Sequence, residues 1–188
     1  MNLEIDINDI KSSFDRISED LIFNHILVVK GIKFRITNIE FYYYNQRKHK
    51  DSNTHSVKKI KARKRQILSG EWYLHKDKYN SNDRRKGIDY TIGDGNNFGG
   101  ILIKEVIRLD NSISFSQSNF IDELYRILAP ISGEVFLDMI ENKNSLILKN
   151  EQIKIDSWKL ENNKRKGLIQ QDEYSDNNYS YELKILIK

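Results

Sequence analysis

The run Ile39-Glu40-Phe41-Tyr42-Tyr43-Tyr44 sets one carboxylate among aromatic side chains. Neighbouring side chains of a strand point to opposite faces, so these aromatics cannot all serve one core, and some must line a second surface or a pocket. A glutamate in such low-dielectric surroundings has its pKa raised, and with an ordered water beside it becomes a candidate general base. A rim or surface glutamate at a strand end is the plainer reading of the same residue. Just downstream stand His49, Asp51 and His55, imidazole and carboxylate groups of the kind that hold zinc or manganese. Their spacing matches no strong metal signature, and loop histidines commonly lie on the surface or stack. Gly70-Glu71-Trp72-Tyr73-Leu74-His75 adds a second aromatic cluster with a histidine. Lys104 interrupts the apolar run Ile101-Leu102-Ile103, which makes it either an outward-facing residue or a cation aimed into a site.

Between these clusters lies the charge. The chain carries a formal net charge of +4. Arg47, Lys48, Lys50, Lys58, Lys59, Lys61, Arg63, Lys64 and Arg65 follow one another with only Asp51 opposing them, while the first twenty residues are acidic. Lysine and arginine interleaved with aromatics suit phosphate neutralisation combined with base stacking. On that reading Arg47, Lys58, Lys61, Arg63 and Arg65 are the candidate contacts to a nucleic-acid backbone. The alternative is a core tryptophan beside a solvated charge run. The glycine-rich stretch 87–100 lacks the Gly-Lys-Ser/Thr ending of a Walker loop and the spacing of a dinucleotide fingerprint, so a hairpin turn is its simplest explanation.

The elements that must position these groups follow from periodicity. Ile7, Ile10, Phe14, Ile17 and Leu21 fall on one face of an amphipathic helix. Residues 25–30 and 33–43 read as a hairpin turning at Gly31. Residues 45–69 read as a long functional loop with a helical turn. Strands are expected at 71–75, 88–92 and 100–109. Phe120, Leu124, Ile127 and Leu128 define a helix ended by Ala129-Pro130, and a further helical turn is expected at 135–140. Three strands, at 145–149, 152–158 and 181–187, close the chain, the last two separated by a polar loop rich in asparagine and lysine. No internal repeat is visible.

With 188 residues, 38 % of them hydrophobic and 31 % charged, the chain is long enough for one core, and a single domain over 1–188 is expected. It has no cysteine, which excludes a disulfide framework and a thiolate metal site and fits a reducing compartment. The amino terminus is acidic and lacks an apolar signal segment, and no run approaches membrane-spanning length, so a soluble, cytoplasmic protein with no membrane partner is expected.

The order of motifs Ile39-Glu40-Phe41-Tyr42, Thr54-His55-Ser56, Gly70-Glu71-Trp72-Tyr73-Leu74-His75 and Gly100-Ile101-Leu102-Ile103-Lys104 resembles the alkyladenine (3-methyladenine) DNA glycosylase family, over roughly 37–108. The resemblance implies an α+β single domain whose mostly antiparallel, curved sheet is flanked by a few helices, like the C-terminal domain of formyltransferases. It also implies a monomeric enzyme that needs no cofactor or metal and hydrolyses the N-glycosidic bond of a damaged or modified purine flipped out of duplex DNA. Glu40 would then activate water, Lys104 would replace the family's usual arginine beside the reacting nucleotide, and Tyr42, His55, Tyr73 and His75 would enclose the base. Tyr79, in the segment inserted after His75, is the candidate wedge into the duplex. Two other readings stay open: a non-catalytic nucleic-acid or nucleotide-binding module on the same fold, and a metal-dependent nuclease built on His49, Asp51 and His55.

Overall fold

A computed structural model describes residues 1–76, 79–83, 86–152, 158–168 and 170–185. In chain order the elements are α1 (Ile10–Asn24), β1 (His25–Val29), β2 (Ile32–Asn45), β3 (His49–Lys50), a 3₁₀ turn at His55–Val57, α2 (Ile60–Gln66), β4 (Ser69–Leu74) and β5 (Ile88–Ile92). They continue with β6 (Phe98–Arg108), β7 (Ser114–Ser116), α3 (Gln117–Leu128), α4 (Gly133–Glu141), β8 (Leu146–Asn150), β9 (Trp158–Asn163) and β10 (Ser180–Ile185).

The fold is α+β. One antiparallel sheet curls into a half-barrel in the order β4-β5-β6-β2-β1-β8, with β10 added to β2 and β9 to β10. β2 is its spine because fourteen residues give it length enough to pair with β6, β1 and, past the point where β1 ends, β10. α1, α3 and α4 cover one face. Phe14 of α1 stacks on Phe41 at 4.2 Å between ring centroids, and Phe120 of α3 meets Phe34 at 5.5 Å. Ile10, Phe14, Ile17 and Leu21 form the buried stripe their spacing predicts. The helix opens at Ile10 rather than Ile7 because Asp9 caps it, its carboxylate accepting from the Ser12 amide at 3.1 Å.

The expected strand at 152–158 lies largely outside the described residues. β9 instead occupies the start of the polar stretch that reads as loop in the sequence. Among the described residues it pairs only with β10, and an edge strand exposed on Lys159, Asn162 and Asn163 needs little apolar patterning. β7, three residues long, is a further strand that periodicity does not predict. Among the described residues, no helix is long and apolar enough to cross a membrane.

Candidate functional site

The sheet face turned away from α1, α3 and α4 is polar and yet largely buried, with α2 lying over part of it. An irregularity in the β2–β6 pairing between Ile36 and Ile39 sets it up. Before it Phe34 and Ile36 enter the core; after it Ile39, Phe41 and Tyr43 do, so Glu40 and Tyr42 turn to the opposite face. The register then aligns Ser180, Glu40, Leu102, Asp89 and Tyr73 in one row across β10, β2, β6, β5 and β4. Tyr42, Gly100 and Thr91 form the next row.

Glu40 is only 2 % exposed, and both of its oxygens are occupied. The Tyr42 hydroxyl donates to Oε2 at 2.8 Å, and the Lys104 ammonium lies 3.4 Å from Oε1. Burial, followed by the neighbouring carboxylate, drives the Tyr42 phenol well above its ordinary value, so it stays a proton donor. This corner opens into a groove of about 690 Å³, whose walls include Asn38, Lys104, Asn162, Lys166, Asn178 and Ser180. Glu40, Tyr42 and Lys104 are thus brought together, although the surroundings of Glu40 are charged and hydrogen-bonded rather than apolar.

His55, Tyr73 and His75 come together elsewhere. They do not wall the Glu40 groove, which corrects the expected four-residue base pocket. Their centre is Asp89, two strands away: His75 Nε2 lies 2.7 Å from Asp89 Oδ1, and Gln66 Nε2 donates to Oδ2 at 2.7 Å. The His55 and His75 rings are 4.0 Å apart between centroids, and Tyr73 presents its ring to His55 at 5.9 Å. Burial, then the adjacent His75, pushes His55 down to about 3. Burial on its own would raise the Asp89 carboxyl, but His75, His55 and Gln66 together hold it below the ordinary value.

Glycine makes room for this cluster. A Cβ on Gly100 would sit 2.8 Å from Asp89 Oδ2 and 2.9 Å from Gln66 Nε2, and one on Gly93 would meet the Gln66 carbonyl at 2.2 Å. The glycine-rich stretch is therefore the expected hairpin turn and, in addition, the bed on which α2 lies.

Asp51 and His49 serve as anchors rather than as metal ligands alongside His55. Asp51 and Arg165 form a fully buried ion pair; the Arg165 guanidinium lies over the Tyr42 ring at 4.8 Å and donates to the Phe41 carbonyl at 3.1 Å. His49 Nδ1 donates to the Tyr43 carbonyl at 2.9 Å, and its Nε2 faces the Tyr179 hydroxyl at 3.2 Å. Among the described residues, the three-residue group with metal-ligand geometry is His55, His75 and Asp89.

The basic stretch divides. Lys61 pairs with Glu141 at 3.1 Å, Arg65 with Glu71 at 2.9 Å, and Arg63 donates to the Ser56 carbonyl at 2.8 Å, so these cations stitch α2 to its surroundings. Arg47, Lys58 and Lys64 are exposed. Tyr79 does not project as a wedge: it stacks on Tyr125 at 3.8 Å and donates to Asp122 at 2.6 Å. Sequence reasoning misses Asp89, Gln66 and Arg165. Asp89 is within its reach, since it alternates with Ile88 and Tyr90 in a strand and so must face away from the core. Arg165, in a polar stretch with no periodicity, leaves no such signal.

Fold and site together define an α+β half-barrel whose face opposite α1, α3 and α4 buries two carboxylate-centred polar clusters side by side, one of them under α2. No protein-family model matches the chain. It is similar to "Uncharacterized protein L759" of Acanthamoeba polyphaga mimivirus, 28% identical over 168 residues that cover 78% of this chain and 74% of that protein.

Proposed function

We propose that the protein is a glycosylase-like hydrolase that acts on a purine nucleotide of DNA held in the Glu40 groove, working in the cytoplasm as a monomer. The observation that carries the reading is a buried carboxylate, Glu40, at the edge of a nucleotide-sized groove, with a phenol and an ammonium group fixed on its two oxygens. Hydrolysis of an N-glycosidic bond needs a carboxylate to orient water and to favour an oxocarbenium-like sugar, with little other chemistry from the protein. Tyr42 and Lys104 hold Glu40 in one orientation. The amides of Asn38, Asn162 and Asn178 supply donors and acceptors for a base edge, while of Tyr42, His55, Tyr73 and His75, which the resemblance makes the enclosure of the base, only Tyr42 stands beside Glu40.

A second reading, a non-catalytic nucleic-acid or nucleotide-binding module, is favoured by the same ion pair, since a glutamate with both oxygens engaged also fits a purely structural role. Single-turnover base release from duplexes carrying 1,N6-ethenoadenine, hypoxanthine or 3-methyladenine separates them. Hydrolysis predicts abasic sites from the wild type and a loss of about 100-fold or more in Glu40→Gln, with DNA binding retained. If the wild type binds DNA but releases no base, or the variant releases it at the wild-type rate, catalysis by Glu40 is ruled out.

A further inference from the structure

We propose that His55, His75 and Asp89 form a binding site for one divalent transition-metal ion of the zinc class. The site is independent of the glycosylase reading, which uses Glu40 two strands away. One ligand atom from each of the three side chains lies within 4.8 Å of the other two, close enough for side-chain adjustments of about an ångström to bring them to the roughly 3.3 Å separations of a tetrahedral shell. They come from three separate places in the chain: the 3₁₀ turn, the residue after β4, and the second residue of β5. Their convergence is therefore a product of the fold, not of sequence proximity.

A hydrogen-bonded His75–Asp89 pair would account for one histidine. It does not account for the second. His55 packs its ring against His75, yet its Nδ1 is buried and has no hydrogen-bond partner. A buried imidazole nitrogen without a hydrogen-bond partner, on a ring clustered with a second imidazole and a carboxylate, is a group that a metal ion can satisfy.

The surroundings hold the ligands in place. Gln66 donates to the Asp89 oxygen turned away from His75, and its own carbonyl accepts from the Ser56 amide at 3.1 Å, so one side chain ties the turn carrying His55 to the strand carrying Asp89. The His75 amide donates to the Gly87 carbonyl at 3.0 Å, fixing its backbone beside the start of β5. Such outer partners orient ligands in metal sites. Gly100 is required for the arrangement, because any side chain there would displace both Asp89 and Gln66.

Two imidazoles and one carboxylate are borderline ligands. They favour zinc, cobalt or manganese over magnesium or calcium, which prefer oxygen-only shells. The ion takes the place of the hydrogen bond between His75 Nε2 and Asp89: the Nε2 proton moves to Nδ1 of the same ring or leaves to solvent, and the freed lone pair binds the metal. Three protein ligands leave a fourth position for water.

The test uses untagged full-length protein, stripped with a chelator and titrated calorimetrically with Zn²⁺, with Mg²⁺ in parallel and Co²⁺ followed by its visible absorption. The expected result is one Zn²⁺ per chain, micromolar or tighter, cobalt bands of tetrahedral intensity, and no comparable binding of Mg²⁺. His55→Ala and Asp89→Asn should each lose roughly 100-fold or more in affinity and Gln66→Met about 10-fold, the outer-partner range. Because Asp89 is fully enclosed and its replacement threatens the fold, the partly exposed His55 is the deciding position, with melting curves checking the fold. His49→Gln should bind as the wild type does. Absence of saturable binding, or undiminished affinity in a folded His55→Ala, overturns the proposal.

Discussion

At the scale of single residues, the buried carboxylate of Glu40 is tolerable because a cation and a phenol stand on its two oxygens. Lys104 keeps 27% of its side chain exposed while Glu40 keeps 3%, so their attraction is only partly screened and removing either partner has unequal consequences. Lys104→Met leaves an uncompensated buried charge and should destabilise the protein by about 2 kcal/mol, less than for a fully buried pair because water reaches the lysine. Adding Glu40→Gln to that variant removes the charge as well and should recover most of the loss. Urea unfolding of the two single variants and the double variant gives the coupling; equal stability of Lys104→Met and wild type would show that the pair is not formed in solution. Part of the site is legible in the sequence, since Glu40 and Tyr42 alternate with Ile39, Phe41 and Tyr43 and so share a face. The cation on Glu40 is not, because pairing a position of β2 with one of β6 depends on register across an irregular stretch.

Among the elements, the irregularity at 36–39 decides which chemistry the sheet displays. Without it, the even-numbered residues that carry Phe34 and Ile36 into the core would carry Glu40 and Tyr42 there too. α1, α3 and most strands are legible from their periodicity, whereas α2, within the basic stretch that reads as a loop with a helical turn, is not. The face switch does leave a mark, the two consecutive polar residues Thr37 and Asn38, at which the apolar positions pass from even to odd numbers, but reading the run as one uninterrupted strand overlooks it. Also illegible is the strap formed by 164–168 and 170–179, which closes over β2 through Arg165 and Asp51 and through the bonds of Asp172 to Ser52 and of Gln170 to Asn53. Beside that strap His49 makes the fold sensitive to acid. Burial holds its pKa below the ordinary 6.5 against the opposing pull of the Tyr43 carbonyl and Asp51, with Arg165 adding to the depression. The unfolded chain therefore binds the proton first, so the stability contributed by neutral His49 is complete above about pH 6.5 and declines as the pH falls below it. The neutral ring also fits its contacts, donating to one oxygen and accepting from the Tyr179 hydroxyl. Denaturant midpoints between pH 7.5 and 5 should fall more steeply for the wild type than for His49→Gln; parallel curves would show that His49 takes up its proton equally in both states.

For the molecule as a whole, the basic stretch from Arg47 to Arg65 reads in sequence as one electrostatic footprint, but the fold gives its members different work. Lys61 and Arg65 are committed to Glu141 and Glu71, which fix α2 over the polar sheet face, whereas Arg47, Lys58 and Lys64 remain exposed. If the protein engages DNA, the exposed group should neutralise phosphates and release condensed counterions, so the logarithm of affinity falls linearly with the logarithm of salt. Charge reversal of Arg47, Lys58 and Lys64 together should weaken binding uniformly across sequences, flatten that slope by roughly 0.9 for each duplex phosphate no longer neutralised, and leave the melting temperature near that of the wild type. Reversal of Lys61 and Arg65 should do the opposite. Glu141, only 4% exposed, then faces two carboxylates instead of two cations, so the melting temperature should drop while the salt slope of the remaining folded protein holds. Fluorescence anisotropy with a labelled duplex over a series of salt concentrations, run beside thermal melts, reads both quantities. A salt slope unchanged by the first set of substitutions would remove the electrostatic case for this face and move DNA binding, if any, to the lysines around the Glu40 groove.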